Sequence, residues 1–295
     1  MTTISNKEGH FSFDKVPYGH WIIREIKQPT GYILNDTIYD VTISKNEEIV
    51  EVEIVNELIY GNITLTKVDA DYPDNKLTGA TFEVYKDINE NGKIDDKDEL
   101  VDNLKETSLG VYELKDLVYG HYLVKEVEAP EGFLLDENIY SVFIEEDGKT
   151  YSVENKAGIG FINNAMKGSL KIIKTSSDGK VEGFTFRVTG PNGYDRTYTT
   201  DEKGIIHIDG LRIGQYKITE LQDKASAGYI LAKDQEVTIE LNKTTEVTMH
   251  NTLRDTPETG DHSHLGMWAL LATLSTFGII GATIELKKKK DKNNK

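Results

Sequence analysis

Three stretches of this chain are versions of one pattern, and that recurrence constrains the fold more than any other feature. They are VPYGHWIIREIKQPTGYIL (16–34), LVYGHYLVKEVEAPEGFLL (117–135) and LRIGQYKITELQDKASAGYIL (211–231). Each contains a glycine, an alternating strand, a glutamate and a turn ending in Gly-aromatic. A repeat on this scale means tandem copies of one supersecondary unit. Further strands align between copies: GNITLTK (61–67) with GSLKIIK (168–174), and VEIVN (52–56) with IGFIN (159–163) and VTMHN (247–251). Period-two alternation recurs, and no long helical periodicity occurs before the C-terminus. The reading is all-β, with tandem β-sandwich modules.

Side chains alternate across a strand, so the residues of each inward face follow from the sequence. The first strand gives Ile63–Leu65–Lys67 and Leu170–Ile172–Lys174. The strand after the glycine gives Trp21–Ile23–Glu25, Tyr122–Val124–Glu126 and Tyr216–Ile218–Glu220. The last strand gives Val52–Ile54–Asn56, Ile159–Phe161–Asn163 and Val247–Met249–Asn251. A Lys, a Glu and an Asn thus each end an apolar face once per complete module. Asn155 and Asn164 compete with Asn163 for the middle position. Asn163 is preferred because it and Asn56 both stand five residues before the glycine opening the next module.

Burial lowers a lysine pKa and raises a glutamate pKa, so a buried pair can share a proton while both are nearly neutral. A neutral, desolvated ε-amine is a nucleophile. The side-chain amide carbon of a nearby Asn is an electrophile, and a protonated Glu can polarise it and pass protons to departing ammonia. The expected product is an intramolecular Lys–Asn isopeptide bond: Lys67–Asn163 promoted by Glu126, and Lys174–Asn251 promoted by Glu220. The plainer alternative is a buried ion pair with Asn as a hydrogen-bonding neighbour. This chemistry is self-modification and requires no cofactor.

The first copy has Glu25 and Asn56 but no partner lysine. The Lys-to-Glu spacing is 59 residues in the middle copy and 46 in the last, and 46 residues before Glu25 falls outside the sequence. The chain therefore reads as the C-terminal piece of a longer protein, which also accounts for the lack of a secretory signal in MTTISNKEGHF. The expected organisation is an incomplete module over 1–59, complete modules over 60–166 and 167–253, and a C-terminal segment over 254–295.

The net charge is −16, and the six lysines and three acids after Thr259 contribute +3, leaving −19 for the rest. Such a surface repels nucleic acid and anionic lipid. With no cysteine, disulfides are excluded as crosslinks. Residues 87–98, DINENGKIDDKD, follow a calcium-loop pattern, with Asp87, Asn89, Asn91, the Lys93 carbonyl, Asp95 and Asp98 as ligands and Gly92 at the turn. Calcium is the one metal expected, and a solvated acidic hairpin loop is the alternative.

The motifs LTKVDAD, YLVKEVEAPEGF and FIN in the middle module, and IIKTSSDG, YKITE and HN in the last, resemble the Cna protein B-type repeats. These are also called SpaA-type or prealbumin-like domains and occur in Gram-positive surface proteins and pilins. The resemblance covers about 1–253. It implies an Ig-like or prealbumin-like sandwich with the isopeptide bond at these Lys, Glu and Asn positions. The last module departs in one turn, with KASAGY in place of APxGY.

Beyond Asn251 the composition changes. Residues 265–284 carry no charge for 20 residues, enough for a transmembrane helix, and a basic tail over 287–295 opens with four lysines. Just before them, Thr256-Pro257-Glu258-Thr259-Gly260 resembles the LPxTG sorting signal, with Thr256 in place of leucine. The resemblance implies cleavage by a sortase between Thr259 and Gly260 and transfer of Thr259 to an amine of a peptidoglycan precursor or a pilin. Residues 265–284 would then hold the membrane only transiently. The expected product is an exported, cell-wall-anchored adhesin stalk, with any contact to host extracellular matrix made by a region N-terminal to this sequence. A pilin subunit is the runner-up, since DYPDNK (71–76) only faintly echoes a pilin lysine motif. An enzyme acting on an external substrate is disfavoured. His20 and His121 are equivalent, but the third copy has Gln215 there, and no Ser/His/Asp spacing occurs.

Overall fold

The computed structural model describes residues 1–254, so the sorting motif, the apolar run and the basic tail lie outside the described residues. The described chain is β-structure with a single short 3-10 turn. Among the described residues, no helix is long and apolar enough to cross a membrane.

Residues 1–59 hold two paired strands, β1 (Gly19–Ile23) and β2 (Tyr39–Ile43). The middle module contains β3 (Tyr60–Asp69), β4 (Thr81–Lys86), β5 (Glu99–Asn103), β6 (Lys105–Ser108), β7 (Val111–Val118), β8 (Gly120–Glu128), β9 (Ile139–Ile144), β10 (Thr150–Ser152) and β11 (Phe161–Asn163). The last contains β12 (Lys167–Ser176), β13 (Thr185–Gly190), β14 (Tyr194–Thr199), β15 (Ile205–Arg212), β16 (Gly214–Glu220), β17 (Tyr229–Ile230), β18 (Gln235–Ile239) and β19 (Thr244–Leu253).

Each complete module is a sandwich of two sheets. In the middle module β10-β3-β7-β6, with β11 also on β3, faces β5-β4-β8-β9. In the last, β15-β12-β19-β17 faces β14-β13-β16-β18. The lysine strand and the asparagine strand run parallel in one sheet, and the glutamate strand lies in the other. The register is the same in both modules. Lys67 stands opposite Phe161, and Lys174 opposite Met249, each two residues before the module's Asn.

Apolar alternation builds the core. Ile63, Leu65, Phe82, Val84, Tyr122, Val124 and Phe161 fill the middle module, and Leu170, Ile172, Phe184, Phe186, Ile218 and Met249 the last. Phe82 and Phe161 meet edge to face at 5.0 Å, a favourable arrangement of ring quadrupoles. Ile159 departs from the expected inward face: it is exposed in the turn Lys156–Gly160, and the strand begins only at Phe161. Gly160 causes that late start. Its φ is +127°, and a Cβ there would sit 2.7 Å from the Thr66 carbonyl oxygen, so only glycine lets this segment reach β3. The glycine that opens each of the three aligned strands has a similar conformation, with φ of +140° at Gly19, +142° at Gly120 and +133° at Gly214.

The aromatic residue two positions on is tied down alike in all three copies. Trp21 Nε1 donates to the Pro17 carbonyl (2.9 Å), Tyr122 OH to that of Val118 (2.7 Å) and Tyr216 OH to that of Arg212 (3.0 Å). Arg212 also joins the middle and last modules. One of its guanidinium nitrogens donates to both oxygens of buried Asp69 (2.8 and 2.7 Å) and to Asp71 (2.9 Å), while Lys167 donates to Asp71 (2.8 Å).

Candidate functional site

Lys67, at the inner end of β3, is fully buried, as is Glu126 on β8, and Asn163 at the end of β11 is 2% exposed. The three converge. Lys67 Nζ donates to Asn163 Oδ1 and to the Phe161 carbonyl (3.2 Å), and lies 3.6 Å from Glu126 Oε1. Asn163 Nδ2 donates to both oxygens of Glu126 (3.1 and 2.9 Å) and to the Leu134 carbonyl (2.9 Å). Of the three candidate asparagines, Asn163 is the one against the lysine, and Asn164 is exposed.

Burial pushes the Lys67 ammonium pKa down from 10.5 to about 8, although Glu126 and Asp136 both oppose the fall. The amine also lies 4.9 Å from the centre of the Phe161 ring. This is the environment that makes an amine nucleophilic near neutral pH. The amine sits at the carbonyl end of the Asn163 amide, and the carboxylate at its nitrogen end. The amine and the carboxylate therefore meet different atoms of the same amide.

A surrounding network went unread in the sequence. Asn155 forms two hydrogen bonds with the backbone of Ile162, accepting from its N–H (2.6 Å) and donating to its carbonyl (2.8 Å), so it acts as a one-residue strand beside β11. Asp136 accepts from Asn155 Nδ2 (2.7 Å) and Tyr140 OH (2.7 Å), and its own N–H donates to Glu126 (2.8 Å). Burial pushes the Asp136 pKa up, but hydrogen bonds from Asn155, Asn138 and Tyr140 outweigh it and hold the carboxyl below its ordinary value. The readable signal was the match of Asn35–Tyr39 to Asp136–Tyr140 in the aligned copies; Asn35 N–H likewise donates to Glu25 (2.8 Å).

The last module repeats the arrangement with one difference. Asn251 Nδ2 donates to Glu220 (2.6 Å), and the Ala232 N–H donates to Glu220 and to Asn251 Oδ1 (2.9 and 3.0 Å). Lys174 is 1% exposed, and burial lowers its pKa against the pull of Glu220 and Asp178. Its Nζ, however, donates to the Thr175 carbonyl (2.7 Å) and weakly to that of Met249 (3.4 Å), and lies over Phe184 (4.5 Å). In the first module Asn56 Nδ2 donates to Glu25 (2.7 Å) and to the Ile33 carbonyl (2.9 Å), with both side chains half-buried.

The residues of the calcium-type loop make the following contacts in the structure. Asp87 accepts from the N–H groups of Asn91 (3.1 Å) and Gly92 (2.9 Å), and Asp98 from those of Ile88 (3.2 Å) and Asp95 (2.8 Å). Asp95 accepts from the amides of Asn89 (3.1 Å) and Asn91 (2.8 Å), and the Lys93 N–H donates to Asn91 (2.7 Å). Among the described residues, no three acidic, His or Cys groups are gathered as a metal site. Backbone N–H groups within the loop thus bond to its Asp and Asn side chains, which fixes the turn.

A model of the SpaA prealbumin-like fold domain matches residues 1–58, 61–157 and 168–253. No curated protein sequence matches the chain. Among solved structures, the Bacillus anthracis TIE protein is similar, with 25% identity and a TM-score of 0.66 over 84% of this chain and 44% of that one. This chain thus spans less than half the length of that relative. The minor pilin GBS52 of Streptococcus agalactiae matches at 19% identity and TM-score 0.32, over 68% of this chain and 100% of its own. The shaft pilin SpaA of Lactobacillus rhamnosus GG matches at 12% and 0.28, over 67% and 99%. The three matched segments cover most of the sequence, and the chain belongs to the SpaA family of prealbumin-like fold domains.

Proposed function

We propose that this chain is the wall-proximal stalk of a Gram-positive surface protein, crosslinked internally by Lys67–Asn163 and Lys174–Asn251 isopeptide bonds. In this reading a sortase joins it to peptidoglycan through Thr259. The observation that carries the reading is the convergence of buried Lys67, Glu126 and Asn163. Neutral Lys67 Nζ attacks Asn163 Cγ, a new C–N bond forms, and the Cγ–Nδ2 bond breaks. The proton leaving Nζ passes through Glu126 to Nδ2, which departs as ammonia. Glu126 ends as it began, so the step runs once per module without an outside reagent.

Such a bond joins the two parallel strands β3 and β11, and in the last module β12 and β19. A stalk pulled from both ends then transmits force through covalent links between first and last strands. The segment between them stays folded. A cysteine-free exported protein has no disulfide to do this.

Tandem mass spectrometry of a protease digest tests the crosslinks. Branched peptides joining Lys67 to Asn163 and Lys174 to Asn251 are expected, and Glu126→Ala should remove the first while leaving the second. Linear peptides alone would overturn the reading. For anchoring, wall digests of an expressing Gram-positive cell should yield Thr259 as the C-terminal residue linked to a wall fragment. A ladder of multimers would favour a pilin subunit instead.

A further inference from the structure

We propose that the last module acts on the middle one: Arg212 is a positioning residue for Asn163, and the middle crosslink closes only after the last module has folded against it. This rests on the isopeptide reading above. The step requires folding of the last module, not closure of that module's own bond.

The strand that presents Asn163 is short. β11 has three residues, and its ladder is with Lys67, Val68 and Asp69 at the end of β3. Asn163 stands opposite Asp69, and its carbonyl accepts from the Ala70 N–H (3.0 Å). The end of β3 therefore decides where Asn163 sits. That end carries a buried carboxylate. Asp69 is 2% exposed, and its side chain accepts one hydrogen bond from its own module, from the Asp71 N–H (2.9 Å). A carboxylate buried with so little is costly. The cation comes from the last module. Arg212, at the end of β15, donates to both Asp69 oxygens (2.8 and 2.7 Å) and to Asp71 (2.9 Å). Lys167, its cross-strand neighbour on β12, donates to Asp71 (2.8 Å). The guanidinium also lies 5.5 Å from the centre of the Phe133 ring. Phe133 adjoins Leu134, whose carbonyl accepts from Asn163 Nδ2 (2.9 Å). One side chain of the last module thus grips both the strand end that aligns the Asn163 backbone and the turn that holds its amide.

The last module closes the same position by itself. β19 has ten residues and pairs with β12 from Ser169 to Ser176. At the places of Asp69 and Asp71 it has Ser176 and Asp178. Asp178 accepts from Ser176 Oγ (2.8 Å) and from Tyr229 OH (2.6 Å), both of its own module. The middle module has Phe133 where the last has Tyr229, and a phenyl ring donates nothing to Asp71. The dependence therefore runs one way, from the last module to the middle one. A chain threaded N-terminus first keeps its middle module uncrosslinked until the last has folded.

The test follows both crosslinks in the full chain, in mild detergent. Chain synthesised into denaturant is refolded, quenched at intervals and digested, and the two branched peptides are quantified by mass spectrometry. Arg212→Ala should slow Lys67–Asn163 by about tenfold or more, the worth of one charge-assisted hydrogen bond. It should leave Lys174–Asn251 at the parent rate. Asp69→Ala, which spares the last module, should slow the middle bond alike, and the double variant no further, as expected for two residues acting through one contact. The pH profile separates positioning from mere folding. With positioning lost, the middle rate still levels off above about 8, at a lower plateau; with the module opened, Lys67 meets water and the levelling moves toward 10.5. An unchanged middle rate in either single variant, equal slowing of both crosslinks by Arg212→Ala, additive effects in the double variant, or a levelling moved toward 10.5 overturns the proposal. If both branched peptides form in the parent and the variants behave like it, this inference alone fails. If neither forms in the parent, the isopeptide reading fails with it.

Discussion

Replacing Lys67 by Met separates what the lysine contributes as a crosslink from what it costs as a buried charge. The proposed Lys67–Asn163 bond would close a loop of 96 residues. On the chain-entropy treatment of crosslinks, a loop of that length is worth about 4.7 kcal/mol. Met keeps the apolar stem against Phe161 and carries no charge, so Lys67→Met should lose close to that amount. For a domain of this size the loss lowers the midpoint of the middle module by roughly 20–35 °C. Asn163→Ala should do worse. It also abolishes the bond, and it leaves the lysine buried with its pKa depressed from 10.5 to about 8. That depression withholds about 3 kcal/mol below pH 8. The unfolded lysine keeps its proton up to its ordinary value, so between pH 8 and 10.5 the unfolded state binds more protons and stability rises with pH. Asn163→Ala should thus recover toward Lys67→Met as pH is raised to 10.5, while Lys67→Met shows no such gain. Scanning calorimetry of the full chain at pH 7 and pH 10 reads both effects. If Lys67→Met melts within a few degrees of the parent, or if the two variants respond alike to pH, the reasoning is wrong.

Other expectations follow from the same geometry. In chain synthesised into denaturant and then refolded, the middle crosslink should form faster as pH rises and level off above about 8, because Lys67 deprotonates there; a rate flat from pH 6 to 9 would contradict this. At pH 7 roughly one Lys67 in ten is then neutral, against about one in 2,500 for a free lysine. The middle bond should also form before the last, since Lys174 must first leave the Thr175 carbonyl; timed digests would show the order. Asn155→Ala removes the two bonds that hold Ile162 and should slow only the middle crosslink, by about tenfold if one hydrogen bond's worth of positioning is lost. Arg212→Ala leaves Asp69 buried without its cation and should destabilise the junction by about 3–5 kcal/mol, read by denaturant titration.

The internal repeats made much of this legible in advance. Alternation put Lys67, Glu126 and Asn163 on inward faces, and all three are buried there. It misread Ile159, because alternation cannot register a turn created by one positive-φ glycine at Gly160. In the Asp136 network the Asp136–Tyr140 half is signalled by its match to Asn35–Tyr39, but Asn155, 19 residues from Asp136, is not part of the aligned motifs. Arg212 and Asp69 come from different modules, and no periodicity links them. In the loop over 87–98 the spacing of polar residues was legible, but the backbone N–H groups that Asp87 and Asp98 accept from were not, because they depend on the turn's conformation.

The intact mass of the full chain tests the crosslinking claim most directly. Two closed modules make the purified protein lighter than its sequence by two ammonias, and lighter by one in Glu126→Ala. A mass equal to that of the sequence would contradict the account, leaving Lys67 and Lys174 as buried cations beside glutamates.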